Sequence, residues 1–320
     1  VDSAINSAMH PLAGQRVGVI GRGGSGKSTL VALLSGNLAR RGYQVVVLDA
    51  DSTNEGLHRA MGIDEPPRPL LEYFGGSTFS GGAVTCPVDD PTPLRAATVD
   101  LAELPDDYTR RSPHGVWLLV AGKLAQLGAG AGCDGPIAKI ARDLEVLTPS
   151  DRQVVFIDLK AGFEDSARGV LVRLDSVICV VDPTIVAVRM AVSLTHLVRE
   201  IRGGALPATR HLADRRLVAL ANRLYSQARV RDVFVVLNKI GDADTEGVLR
   251  RALAEDRVSV TGVLHEDPGL TRAWLMGEAL DGRALAPDIG RIVDRIEATL
   301  AHRSASDEMS ADRARMEVHR

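Results

Sequence analysis

One stretch constrains this chain more than any other: Gly21-Arg22-Gly23-Gly24-Ser25-Gly26-Lys27-Ser28-Thr29. An apolar run at 17–20 precedes it, and Leu30, Leu33, Leu34 and Leu38 follow at helical spacing, so the stretch lies where a buried strand turns into a helix. A glycine-rich turn in that position bares successive backbone N–H groups, and the helix N-terminus adds its dipole; together they cradle phosphate. Gly23, Gly24 and Gly26 let the backbone approach closely, with Ser25 and Thr29 completing the nucleotide loop. Lys27 is placed to reach the β- and γ-phosphates, and the Ser28 hydroxyl to ligate Mg²⁺. A glycine loop that binds nothing accounts for the glycines but not for the whole pattern between strand and helix.

Further apolar runs frame the loop. Residues 44–48 close on Asp49-Ala50-Asp51, 116–120 lead into Ala121-Gly122-Lys123, and 153–157 end in Asp158. Runs at 176–181 and 233–237 follow, the second ending in Asn238-Lys239. Val-rich runs separated by helical patterns predict an α/β fold, a doubly wound, mostly parallel sheet flanked by helices. Ligands in such folds sit at the carboxyl ends of the strands. That puts Asp49, Asp51, Asp158 and Asn238 on the same edge as the loop. Asp158 takes the Walker B position, holding Mg²⁺ directly or through water. Asp51 is the candidate for polarising the attacking water and Asp49 for the magnesium shell; the plain alternative is a strand-to-helix turn capped by Asp51 or Ser52. Gly162, shortly after Asp158, can sense a γ-phosphate through its N–H. Asn238-Lys239 stands where purine bases are read, and Gly241 in place of an aspartate favours adenine over guanine.

The organisation around these motifs is that of a single domain over 15–300, with a polar lead-in at 1–14 and a polar, charged tail at 301–320 expected to fray. Inside it, 66–113 is rich in Pro and Gly and reads as a lid, a partner surface or a partly disordered insertion. A helical insertion at 203–231 sets Arg215, Arg216 and Arg223 apart from Leu217, Leu220, Ala221 and Leu224. That basic face is either solvated or a contact for a partner, and Asp214 and Asp232 interrupt its charge. The formal net charge of −3 carries no basic excess for nucleic acid or an anionic membrane. Cys86, Cys133 and Cys179 are too few and too scattered for a disulfide framework. With no apolar run of about 18 residues and no signal-peptide layout, a cytoplasmic setting is expected. Lysine is scarce, and Lys27 and Lys239 fall inside nucleotide motifs while Lys160 adjoins one.

With these pieces in order, residues 15–300 resemble the deviant Walker A, MinD/ParA-like ATPases of the P-loop (SIMIBI) class. Within that class, the stretch from Leu118 to Leu144, with Val120-Ala121-Gly122-Lys123 and the segment 130–136 inside it, makes the chain most similar to the accessory ATPases that help insert nickel into carbon monoxide dehydrogenase. The resemblance implies an ATP- and Mg²⁺-dependent homodimer whose slow, partner-stimulated hydrolysis assists maturation of a client metalloenzyme. Its MinD/ParA side implies an alternative, a positioning or scaffold ATPase whose ATP dimer binds DNA or a protein partner. The tail lacks the apolar helix face that membrane attachment requires. By carry-over, Asp51 positions water, Asp158 is the Walker B carboxylate, Asn238 contacts adenine, and Arg22 stands where the class has a lysine that reaches the partner subunit's phosphates. Arginine there keeps the charge but not the shape. The nickel-accessory branch carries Cys-x-Cys-Pro at 133–136, gathering four thiolates for Ni²⁺ or Zn²⁺ across the dimer. Gly135 replaces the second of those cysteines, so Cys133 alone falls short of the four ligands a closed soft-metal site prefers. The expectation is that metal is not bound in the branch's manner and that Cys133 is an interface thiol or a packing residue. Lys160, where the branch has an acidic residue or proline, either alters hydrolysis or pairs with Asp165.

Overall fold

Alternate side chains of one strand feed two separate cores. In β2 (Gln44–Asp49), Val46 and Leu48 pack on one side of the sheet and Val45 and Val47 on the other, none more than 1 % exposed. A strand that is apolar on both faces has to be covered on both, and the computed structural model, which describes residues 10–76, 82–124 and 133–318, shows how. The main sheet has eight strands. Numbered in chain order, they lie as β10 (Val260–His265), β9 (Asp232–Ile240), β8 (Ser176–Val181), β1 (Arg16–Gly21), β7 (Gln153–Asp158), β2, β5 (Trp117–Val120) and β4 (Arg110–Arg111). Only β4 runs antiparallel to its neighbour. A separate parallel pair, β3 (Thr98–Asp100) and β6 (Glu145–Leu147), forms a small second sheet.

Helices close both faces. On one side lie α1 (Lys27–Arg40), with Leu30, Leu34 and Leu38, and the last helix α7 (Ala286–Val318), with Ile289, Ile292, Ile296 and Leu300. On the other lie α2 (Gly135–Asp143), α3 (Ile185–Arg202) and α5 (Ala243–Glu255), through residues such as Ile140, Leu194 and Leu253. Their i, i+3, i+4 spacing is what turns one stripe of each helix to the sheet. α4 (Arg215–Ser226) belongs to the helical insertion and buries only Ala221 and Leu224. α6 (Pro268–Met276) lies beside the carboxyl end of β10.

The topology locates the binding edge. The chain leaves β1 toward β2 on one side, whereas β8, β9 and β10 build out on the other, so strand order reverses at β1. A crevice opens at such a reversal, outside the carboxyl ends of the strands, and it is there that the loop at 21–29 lies. The segment after 300, expected to fray, continues α7 as helix through Val318. Two ion pairs tie down its first turns: Arg303 bonds Asp232, and Arg231 lies 3.0 Å from Asp307. Among the described residues no helix is long and apolar enough to cross a membrane. The lead-in before His10, Gly81 of the first insertion, Gly128, Gly130 and Gly132 of the nickel-branch segment, and residues 319–320 lie outside the described residues.

Candidate nucleotide site

The loop between β1 and α1 turns on two left-handed glycines, Gly24 (φ 76°) and Gly26 (φ 95°). Gly26 has a second reason to lack a side chain, since a Cβ there would lie 2.2 Å from Asn238 Nδ2. That amide nitrogen donates to Ser25 O at 2.7 Å, and Lys239 Nζ donates to Gly24 O at 2.8 Å. The end of β9 thus grips the loop from behind. In front of it is a cavity of about 630 Å³, lined by Gly23, Gly24, Gly26, Lys27, Ser28, Thr29, Asp51 and Asn238. This is the size range of small-molecule and cofactor sites. Trp274 of α6 walls the far side, its Nε1 donating to Thr29 Oγ1 at 2.8 Å. Gly56 makes room for it, because a Cβ there would lie 2.7 Å from the indole ring. No motif marks Trp274, and sequence reasoning missed it; an indole that donates its N–H to the loop is visible only once α6 is folded back.

Below the loop are the carboxylates. Asp49 and Asp158 are register partners on the parallel strands β2 and β7, and both are buried. Ser28 Oγ donates to Asp158 Oδ2 at 2.6 Å and accepts from Asn54 Nδ2 at 2.7 Å. Asp158 Oδ1 is buried with no hydrogen-bond partner among the described residues. Burial, reinforced by the charge of Asp49, pushes the Asp158 carboxyl up to about 7. Burial likewise pushes Asp49 up to about 6, although Lys123 pulls it down. Lys123 Nζ donates to both Asp49 oxygens at 2.8 Å, to Asp51 O at 2.7 Å and to Asn54 O. Asp49 is therefore neutralised from within, and Asp158 keeps the open oxygen. A buried carboxyl oxygen lacking a partner, next to a hydroxyl and a second carboxylate, is an all-oxygen set of the kind that hard Mg²⁺ takes.

The family model for the CobQ/CobB/MinD/ParA nucleotide-binding domain matches residues 18–280. The chain belongs to that family. It is 25 % identical over 284 residues to an uncharacterised ATP-binding protein of Methanocaldococcus jannaschii, covering 88 % of this chain and 98 % of that one. It is 27 % identical over 238 residues to the carbon monoxide dehydrogenase accessory protein CooC of Rhodospirillum rubrum, covering 72 % of this chain and 82 % of CooC. In fold it is similar to the cell division ATPase MinD of Pyrococcus furiosus, with a TM-score of 0.55 at 17 % identity over 89 % of this chain and 99 % of MinD.

In this member of the MinD/ParA family, Asp51 Oδ1 accepts from Thr53 N at 3.0 Å and from Thr53 Oγ1 at 2.7 Å, which holds the carboxylate at the cavity wall. Arg22 is drawn away from the loop: its Nη1 lies 3.0 Å from Thr184 Oγ1 and 3.4 Å from Asp182 Oδ2, beyond the end of β8. Cys133 is exposed just ahead of α2 and stands outside the cavity. Lys160 has a use that sequence did not reveal. Its backbone N–H bonds Asp165 at 2.9 Å, but its ammonium bonds Asp134 Oδ2 at 2.6 Å and Glu164 at 2.9 Å. Asp134 also takes Ser52 Oγ at 3.2 Å and Arg168 at 2.6 Å. Burial opposes ionisation of Asp134, but the Lys160 hydrogen bond and the Arg168 charge outweigh it and hold the carboxyl below its ordinary value.

Proposed function

We propose that this chain hydrolyses ATP as a nucleotide-gated homodimer and acts as an accessory ATPase in the maturation of a metalloenzyme. One observation carries the nucleotide part: the Ser28–Asp158 bond at 2.6 Å, with the orphaned Asp158 oxygen, lies against a glycine loop that fronts a nucleotide-sized cavity. Similarity to CooC over most of both chains supports the maturation role. Ser28 and Asp158 would hold Mg²⁺, with Asp49 in its outer shell. When bound, that ion neutralises charge on the β- and γ-phosphates. The loop N–H groups and Lys27 bind the triphosphate, and Asn238 and Trp274 bound the space for adenine and ribose. Asp51 orients the attacking water. Arg22, held by Asp182 and Thr184 in a single chain, swings to the partner's phosphates when two ATP-loaded chains meet, which makes hydrolysis slow until a dimer or client fixes it there.

The test compares wild type with Asp51→Ala by light scattering in ATP and Mg²⁺, alongside steady-state phosphate release. Wild type is expected to turn over slowly, and Asp51→Ala to stay trapped as an ATP dimer. A variant that remains monomeric while saturated with ATP sinks the reading. The exposed arginines of α4 favour a second reading, an ATP-dependent grip on DNA or a protein partner. DNA retention that fades steeply with salt would support it; ATP-loaded protein that ignores duplex DNA at low salt removes the DNA branch.

A further inference from the structure

We propose that His265 is a specificity-determining residue of the nucleotide site: its Nε2 accepts a hydrogen bond from the 6-amino group of adenine and disfavours 6-oxo purines, with Asp288 as the residue that fixes its ring. The inference rests on the proposed ATP site and names the group that reads its base.

His265 closes β10 and, with Asn238, Leu270 and Trp274, lines the part of the cavity that β9, β10 and α6 build rather than the phosphate loop. β10 lies three strand positions from β1, roughly 14 Å at the ordinary strand spacing. A nucleotide whose phosphates sit on the loop extends its ribose and base along that edge. Asn238 stands closer to the loop, but it is only 4 % exposed and its amide nitrogen is committed to Ser25 O. The His265 side chain is half exposed. Its backbone is held at the strand end, where the N–H of the next residue, Glu266, donates to Ile240 O at 3.0 Å.

The ring has a defined sense. Asp288 of α7, itself buried, accepts at Oδ2 from His265 N at 3.1 Å and from His265 Nδ1 at 2.7 Å. Its other oxygen, Oδ1, is bonded by Arg291. A carboxylate paired with arginine only accepts, so Nδ1 is the ring nitrogen that carries hydrogen. In the neutral ring Nε2 is then a lone-pair acceptor, and among the described residues no group bonds it. Adenine offers the matching donor in its 6-amino group. Guanine and hypoxanthine present a 6-oxo acceptor at that place, which would set two lone pairs against each other. A site built to hydrogen-bond a substrate N–H rejects the analogue that lacks it. Were the His265–Asp288 pair merely a tie between β10 and α7, its loss would affect every nucleotide alike.

The experiment titrates the full chain, in Mg²⁺ at pH 8, with ATP, purine riboside triphosphate, ITP and 2′-deoxy-ATP by calorimetry. Purine riboside triphosphate differs from ATP only in lacking the 6-amino group. Wild type is expected to bind it about three- to tenfold more weakly than ATP, the worth of one neutral hydrogen bond, and ITP more weakly still. In His265→Phe, which keeps a ring but no acceptor, ATP and purine riboside triphosphate should bind alike. Asp288→Asn keeps the imidazole but no longer fixes which nitrogen carries hydrogen, and is expected to shrink the same ratio; an unchanged ratio there overturns the part given to Asp288. The inference is overturned if wild type binds ATP and purine riboside triphosphate equally, or if His265→Phe weakens both by one factor and leaves their ratio as in wild type. It is overturned in favour of a ribose contact if His265→Phe abolishes only the preference for ATP over 2′-deoxy-ATP. In each of these cases ATP is still bound and the proposed function stands. A chain that takes up none of the four nucleotides overturns both.

Discussion

Lys123 Nζ sits 2.8 Å from both oxygens of Asp49, in an ion pair whose side chains are 13 % and 4 % exposed. Removing the cation leaves a buried carboxylate uncompensated, so Lys123→Met is expected to cost about 3–5 kcal/mol in urea unfolding at pH 8. Adding Asp49→Asn to the same chain should return most of that loss, because both charges are then gone. No recovery in the double variant would mean that Lys123 acts through Asp51 O and Asn54 O rather than through the pair.

Gly24 and Gly26 share a left-handed backbone, yet a side chain would meet nothing within 4 Å at Gly24 and Asn238 at 2.2 Å at Gly26. Gly26→Ala must therefore strain the backbone and also displace Asn238 from Ser25 O. Loss of ATP affinity by roughly 10- to 100-fold, about 1.4–2.8 kcal/mol, is expected for Gly26→Ala in isothermal titration. Gly24→Ala should lose less, and equal losses would contradict the role given to Asn238.

Arg22 bonds Thr184 and Asp182 in the single chain, so its proposed work on phosphate needs a second chain. Arg22→Ala is expected to lower kcat by at least about 100-fold, as removal of a transition-state arginine does, with ATP affinity little changed. Rates should also stop rising with protein concentration. A variant that loses affinity and rate together would place Arg22 in ground-state binding.

Burial pushes the Asp165 carboxyl up to about 6, against the backbone N–H of Lys160 and the charge of Arg168, which lower it. The sign follows from the reference value of 3.8: between pH 4 and pH 6 the unfolded chain ionises Asp165 while the folded chain resists, so this group costs stability as pH rises. The full cost is on the order of 3 kcal/mol. In Asp165→Asn that slope disappears, and the variant should gain on wild type from pH 4 to pH 7 in denaturant midpoints. A difference that stays flat with pH would show that Asp165 is ionised throughout.

Much of this was legible along the chain. Strand ends and the nucleotide loop are contiguous patterns, and a parallel sheet brings all its strand ends to one edge, which is why the sequence alone assigns Asp51, Asp158 and Asn238 to that edge. Boundaries were harder: the charged tail after 300 reads as frayed, yet it is helical through Val318, with ion pairs to Arg231 and Asp232 holding its first turns. The insertion at 66–113 showed only its proline and glycine, because what holds its later part is the buried polar face of α2, formed by Lys139, Arg142 and Asp143.

By itself, then, the order of residues determined the sheet, the phosphate loop at its centre and the acids facing it, because each is set by local spacing and by which side of a strand a residue takes. Only the tertiary structure decided that Lys123 neutralises Asp49, that Trp274 walls the cavity, that Arg22 is held in its own chain, and that Asp288 fixes the ring of His265. Those are meetings of residues far apart in the chain. They are fixed by how helices and loops pack over the sheet, where a few ångströms separate a contact from none.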